Sequence, residues 1–423
     1  ANVVYAFRDN AAGTACVMHK STTSGWVVVT TPTLVASGSY DFVNHNFGGH
    51  SGSGKMYGCD GVNKAFQFDG TTYTQLTTGM TTDTPTHVGV HKNHLFLSFA
   101  GGSIQHSGVG APTSWTLATG AGELGLGTEV TGLRGMQGNS LVITGEDRIN
   151  ILYGTSAANW DLQSFSTVTG ATERSQAYIE TGLYFFNGDD LTTLATTQSF
   201  GDFETSSISA AVNPYLKTRK DSIVGSSVNK DKNQYRLFFS DKTVLVGTIA
   251  NGVVVGYTNW LLNDTPSFIA ENYFGSTDGK VMKMDTGNSF NGVAIQSFLR
   301  LAFTPLGSPQ NKKRYRKAVL EVESGGQATL SYVADYDYGI GGSSAVSQTS
   351  IAGGSVGGGG GGFWDVATWD NFVWSSAVVA SAEAYLNGTG RNISLLIVHT
   401  SATDPAFTLQ GVQLNYSIRG LNR

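Results

Sequence analysis

The chain has 423 residues, 40% of them hydrophobic and only 13% charged, with 55 glycines, 8 prolines and a formal charge of −5 from 26 basic and 31 acidic side chains. Glycine without a three-residue period and with so little proline excludes a collagen-like chain. The apolar content excludes a disordered one, and no apolar run approaches the ~18 residues of a membrane helix. Charge is unevenly spread: nine basic and eight acidic residues lie from Ser297 onward, a net of +1, which leaves 26 − 9 = 17 basic and 31 − 8 = 23 acidic over residues 1–296, a net of −6. That balance does not fit a nucleic-acid binder with a basic face.

In chain order, short apolar–polar alternations bounded by Gly, Asn, Asp or Ser predict strands. Examples are Tyr5–Phe7, Trp26–Val29, Ala65–Asp69, His94–Phe99, Ser140–Thr144, Gly182–Phe186, Gln234–Phe239 and Thr243–Ile249. Residues 1–8 read as a strand rather than a basic stretch leading into an apolar leader. Asn213–Lys220 is the best short helix, and nothing longer has helical periodicity. The strands fall into packets opening near Val3, Met56, His94, Ser140, Gly182, Gln234 and Asn272, at spacings of 53, 38, 46, 42, 52 and 38 residues. A four-stranded propeller blade takes about 40–45 residues. The expected fold is therefore all-β, with an irregular β-propeller of about six or seven blades over residues 1–296. A large mixed β-sandwich is the alternative. Asp60-Gly61, Asp69-Gly70, Asn187-Gly188, Asn251-Gly252, Asp278-Gly279 and Asn387-Gly388 are the candidate hairpin turns.

The pattern changes near Ser297, where a C-terminal β-sandwich domain (297–423) is expected. Ser297–Phe303 reads as a strand, and Ala318–Val322 and Ala328–Ala334 flank a Ser324-Gly325-Gly326 turn. Residues 353–362, with six successive glycines, read as a flexible loop. Asn392–His399 and Phe407–Ile418 are the closing strands, the last with a bulge at Gly411 that explains its change of apolar register.

Little points to chemistry. His87 and His91 sit four apart in a strand-like stretch, some 13 Å from each other, too far to share an ion, and His94 opens the next strand. Asp189-Asp190, Asp335/Asp337 and Glu321/Glu323 are the nearby carboxylate pairs, read as turn and strand-face residues. No nucleophile elbow or phosphate-cradling Gly-rich loop stands in a strand–helix setting. Cys16 and Cys59 are too few for a disulfide framework and read as buried thiols, and a cytosolic folding compartment fits them. No catalytic residue, cofactor or metal is assigned. The candidate subunit contacts are the basic run Lys312, Lys313, Arg314, Arg316 and Lys317, a phosphate or acidic-partner contact, and the cluster Trp364, Trp369 and Trp374.

Three segments together resemble a family. Ser140–Phe186 holds "GEDRINILYG" followed by "GLYFF", Phe303–Asp337 reads "FTPLGSPQNKKRYRKAVLEVESGGQATLSYVADYD", and Phe407–Gly420 reads "FTLQGVQLNYSIRG". Their order is similar to that in the tail-nozzle proteins of short-tailed bacteriophages, the tail tubular protein B and packaged-DNA-stabilisation group. The resemblance implies a propeller joined to a platform domain and a virion tail protein folded in the host cytoplasm. It also implies a homo-oligomeric ring of six copies through which genome DNA is retained and ejected without sequence-specific binding. Its neighbours would be upstream adaptor or tube proteins and tail fibres or spikes. The rivals are a carbohydrate-binding or glycosidase-type propeller, and another head-to-tail adaptor or fibre-attachment subunit.

Overall fold

The computed structural model describes residues 3–136, 140–179, 182–197, 202–250, 253–324, 328–339, 355–358 and 379–421. It divides into two compact units, Ala1–Asp285 and Thr286–Arg423. The boundary precedes the 296/297 expectation because the strand spanning Ser297 starts at Val293 and pairs only within the second unit. No helix is long and apolar enough to cross a membrane among the described residues.

The first unit is a succession of antiparallel sheets, each built from consecutive strands. The first sheet holds β1 (Tyr5–Asp9), β2 (Cys16–Thr22) and β3 (Gly25–Val28), and the second β4 (Asp41–His45), β5 (Lys55–Cys59), β6 (Phe66–Phe68) and β7 (Tyr73–Gln75). The third holds β8 (His87–His91), β9 (His94–Phe99), β10 (Ser103–His106) and β11 (Gly122–Gly125). The fourth holds β12 (Val130–Met136), β13 (Ser140–Gly145), β14 (Ile149–Tyr153) and β15 (Asp161–Ser166). The fifth holds β16 (Ala177–Ile179), β17 (Gly182–Phe186), β18 (Leu191–Thr197) and β19 (Asp202–Ser207). After the short helix α1 (Asn213–Lys217) come β20 (Ile223–Asn229), β21 (Gln234–Phe239), β22 (Thr243–Ala250) and β23 (Val253–Leu261), then the last sheet, β24 (Pro266–Ala270), β25 (Tyr273–Ser276) and β26 (Val281–Lys283).

This is a β-propeller. The opening expected near Val3 meets a first strand, β1, but the other six fall one strand late: β5, β9, β13, β17, β21 and β25 are the second strands of their sheets. The reason is burial. A second strand is covered by the neighbouring sheets on both faces, so β9 and β17 are buried at every position. The first strands face the axis and carry polar residues. The core is distributed between sheets, for example Leu95, Leu97 and Val88 with Tyr57, or Leu183 and Phe185 with Val142 and Ile151.

The second unit is a two-sheet sandwich. Its strands are β27 (Ser289–Phe290), β28 (Val293–Arg300), β29 (Asn311–Ser324), β30 (Ala328–Tyr336), β31 (Ser355–Gly358), β32 (Val379–Gly390), β33 (Ile393–Ser401) and β34 (Phe407–Leu421). One sheet has the order β27-β28-β33-β30-β31 and the other β32-β29-β34. Tyr315, Ala318, Leu320 and Val322 of β29 meet Leu330 and Tyr332 of β30 and Leu395 and Ile397 of β33 between them.

Three expectations change here. The stretches around Ser324-Gly325-Gly326 are not a hairpin: β29 and β30 lie in different sheets, because each has its apolar face in the same core. Ser355–Gly358, inside the stretch expected to be a flexible loop, pairs with Ala328–Ser331; ladder hydrogen bonds use backbone groups, which glycine retains. Asn387-Gly388 is strand interior rather than turn, and Gly388 makes room for a ring: a Cβ there would lie 2.0 Å from Tyr336.

Candidate functional site

Two places concentrate polar side chains, one in each unit. In the propeller, the first strands converge on an axial cavity of about 80 Å³. That is far below the roughly 300–1,000 Å³ of pockets for drug-sized ligands. Its lining takes Asp41 from β4, His87 from β8, Arg134 from β12, Gln176 just before β16, Ser226 from β20 and Phe268 from β24.

These residues bind one another around the axis. Asp41 Oδ2 lies 3.4 Å from Arg134 Nη1 and 3.6 Å from His87 Nδ1, and accepts the Val88 amide at 3.3 Å. Burial alone would push the Asp41 carboxyl up, but Arg134, His87 and that amide together hold it well below the usual carboxylate range. Gln176 donates from Nε2 to the Thr131 carbonyl (3.0 Å) and Thr144 Oγ1 (2.7 Å), and Ser226 donates to the Gln176 carbonyl at 3.2 Å. Gly132 opposite is required by this: a Cβ would stand 1.9 Å from Gln176 Oε1. The edge contact of Phe268 with Phe42, 5.8 Å between centroids, ties β24 back to β4. An ionised carboxylate already engaged by a guanidinium, an imidazole and a backbone amide is a tie, not a poised base.

The histidines have structural partners. His94 Nδ1 faces the Ser107 carbonyl at 2.6 Å, and the His94 and His106 rings both pack on Trp160. Burial pushes His91 and His106 down to about 4. Among the described residues no three His, Cys, Asp or Glu side chains gather as a metal site. Asp190 accepts from Asn213, Asp335 pairs with Arg300, and Asp337 accepts the Arg391 amide at 2.7 Å. Cys16 and Cys59 are buried free thiols, both pushed up by burial, Cys16 to about 11.

The second place is the outer face of the sheet β32-β29-β34. In β29 the buried positions are Lys313, Tyr315, Ala318, Leu320, Val322 and Ser324. The step of three between Tyr315 and Ala318 is a bulge at Arg316, where the register slips against both neighbouring strands. Because of it, Arg314 shares the outer face with Lys317, Val319, Glu321 and Glu323. The basic run is thereby sorted. Lys313 is 1% exposed and points inward, donating from Nζ to the Ser308, Asn311 and Arg391 carbonyls at 2.8, 3.2 and 3.3 Å. It is therefore an internal strut, which corrects its reading as a subunit contact. Lys317 pairs with Glu383 at 2.6 Å. Arg314 and Arg316 are exposed and Lys312 half-buried. Among the described residues none of these three has a carboxylate within ion-pair distance.

Arg314 and Arg419 line an open cleft of about 570 Å³ with Asn387, Gly388 and Thr389. At the other end of β29, Glu321 accepts from Gln413 at 2.7 Å and Glu323 accepts from Gln410, both neutral donors. Tyr385, 73% exposed, stands beside Lys317 between the two ends. The sequence singled out Arg314 and Glu321 separately but gave no sign of Arg419, 105 positions on, since only the β29–β34 pairing brings it there. Trp364, Trp369 and Trp374 lie outside the described residues.

No family model matches the chain, and no curated protein matches it. Solved structures similar to it include catalytically inactive virginiamycin B lyase from Staphylococcus aureus with quinupristin, 12% identical with a TM-score of 0.44 over 66% of this chain and 98% of that one. Another is the computationally designed Ika8 protein, 15% identical, TM-score 0.38, over 66% and 93%. A streptogramin B lyase is 13% identical, TM-score 0.37, over 59% and 89%.

Proposed function

We propose that this chain is a structural protein of a bacteriophage tail, one subunit of a ring-shaped nozzle that holds and releases genome DNA, and that it acts by assembly rather than turnover. One observation carries the reading. The second and third family-like segments, Phe303–Asp337 and Phe407–Gly420, supply β29 and β34, which are hydrogen-bonded along most of their length. Segments some seventy residues apart thus belong to one structural element, downstream of a propeller, in the order the nozzle family has them.

The physics agrees with a conduit. A lumen that gripped DNA would gain salt-dependent affinity with every phosphate it neutralised, and the first 296 residues carry a net −6. The axial cavity of the propeller is too small for a duplex some 20 Å wide and is crossed by the Asp41–Arg134 contact, so in this reading the bore lies between subunits. Cyclic assembly needs two different, matching patches on each copy. Lys312, Arg314, Arg316 and Lys317 are the proposed contacts on one of them, with Trp364, Trp369 and Trp374 as further candidates. Adaptor, tube and fibre proteins are the proposed neighbours.

Mass photometry of the purified chain, with class averages by electron microscopy, tests this. The expected result is a discrete closed ring of about six copies. A monomer at all concentrations, or turnover of a sugar polymer, overturns it.

A further inference from the structure

Resting on that reading, we infer how the copies join: the open edge of β34 in one copy pairs with the open edge of β32 in the next, so that the sheet β32-β29-β34 continues from subunit to subunit. Among the described residues β29 is the only strand hydrogen-bonded to either. Each therefore carries a row of backbone N–H and C=O groups with no partner strand. Proteins blunt such edges with short strands, prolines or charged side chains, because a long bare edge templates pairing with another chain. β34 runs 15 residues and β32 runs 12. Neither holds a proline, and each holds one charged side chain, Arg419 in β34 and Glu383 in β32. The outermost propeller strands β7, β11 and β15 have only three, four and six residues.

The flank at β34 is also unfinished. β34 lies over β33, with the Phe407 and His399 ring centres 4.9 Å apart and Leu409 in one core with Ile397. β28, the strand beyond β33, projects past β34 and is exposed at every position but Ile295. Leu299 pairs with Ile397, and Ile418 pairs with the buried Lys313. Cross-strand partners share a face, so both side chains are on the core side of their sheets, yet they are 46% and 62% exposed. A further strand beside β34 would cover them.

A second copy is the occupant because the two bare edges are opposite margins of one sheet. β29 is antiparallel to both neighbours, so β32 and β34 run the same way. A copy rotated about an axis roughly along the strands brings its β32 beside β34 as a parallel pair. Every seam then joins one margin to the other, the heterologous contact that closes a ring; a two-fold would set β34 against β34. Six copies of this three-stranded sheet make a wall of about 18 strands. At ~4.8 Å spacing and ~40° tilt the wall is ~36 Å across, wide enough for a duplex. Arg314, on the middle strand, stands one spacing of ~4.8 Å from either margin, within reach of the seam.

The test is disulfide trapping in the full chain. Asn415→Cys on β34 is combined in turn with Ser381→Cys, Glu383→Cys, Tyr385→Cys, Asn387→Cys and Thr389→Cys on β32, all at exposed positions. The native thiols Cys16 and Cys59 are buried. Within one copy the two strands are two spacings apart, ~9.6 Å, beyond the ~7 Å that a disulfide spans, so a bridge must join two copies. After mild oxidation, one or two neighbouring members of the series should give a ladder of covalent oligomers ending at about six copies, with a yield roughly tenfold above the other members. N415C alone should give none. In an intact ring, the absence of a ladder from every member, or a covalent dimer from N415C alone, overturns the pairing while the nozzle reading stands. A monomeric wild-type chain with no ladder overturns both. Hydrogen exchange on the unmodified chain covers the case of a variant that does not fold. About half the amides of β32 and β34 should exchange roughly tenfold more slowly in rings than in dilute subunits, and unchanged exchange there in an intact ring overturns the pairing.

Discussion

Asp285 shows how much one side chain can hold. It closes the first unit by accepting from Arg236 and Lys232, both at 2.7 Å, and from Asn229 at 3.0 Å. Arg236 is fully buried, its guanidinium 4.6 Å from the Trp260 ring centre. Removing one partner of such a pair leaves a buried charge uncompensated, which costs about 3–5 kcal/mol. Asp285→Asn should therefore lower the melting temperature by several degrees, whereas Asp278→Asn in an exposed turn should change it little. Hydrogen bonds from Arg236 and Lys232 outweigh burial and hold Asp285 down at about 2. Its contribution is complete above the unfolded carboxylate value near 4 and is lost as pH falls from there toward 2. His91 and His106 act earlier. Their folded values near 4 lie below the ordinary 6.5, so their contribution is complete above about 6.5 and is lost as pH falls through 4. Thermal melts at pH 7 and 4.5 should show the loss, and His91→Gln should reduce the difference between the two. Lys313→Ala, which strips three carbonyls of a donor, should cost on the order of 2 kcal/mol.

At the scale of the element, β29 separates what sequence pattern conveys from what it conceals. Its apolar positions follow period two on either side of Arg316, and the extra residue lies inside a run of cations that reads as surface throughout. Faces follow parity. Deleting Arg316 leaves Lys313, Tyr315, Ala318 and Leu320 alternating on the same side, so the full chain should keep its cooperative melt. Deleting Val319 turns Leu320 and Val322 outward and should abolish folding; circular dichroism distinguishes the two. The propeller strands repeat the lesson. His94–Phe99, Gly182–Phe186 and Gln234–Phe239 could be read to the residue, because their apolar residues stand between clear turn residues. The strands before them were not read as blade openings, since Asp41, His87 and Arg134 make an axial lining that is polar by composition.

For the whole molecule, the two-unit division and the all-β fold were legible because they depend on local alternation and turn chemistry. The axial network and the Arg314–Arg419 cleft were not. Each joins residues far apart in the chain, Asp41 to Arg134 across 93 positions, and nothing local marks a partner at that range. If charged faces hold the copies together, raising NaCl from 0.05 to 0.5 M should shift mass-photometry counts from rings toward single subunits. A ring glued by apolar area alone would hold or tighten.

Asp285 is the last residue of the first unit, so tension applied along the chain from its C-terminal side reaches that unit at the peptide bond after it. The carboxylate there is moored to β20 and β21 rather than to its own short sheet. Tension would thus bypass the three-stranded β24–β26 and be shared with a four-stranded neighbour. In a single-molecule stretching experiment, Asp285→Asn should lower the rupture force of the first event, with the last sheet peeling away before the others.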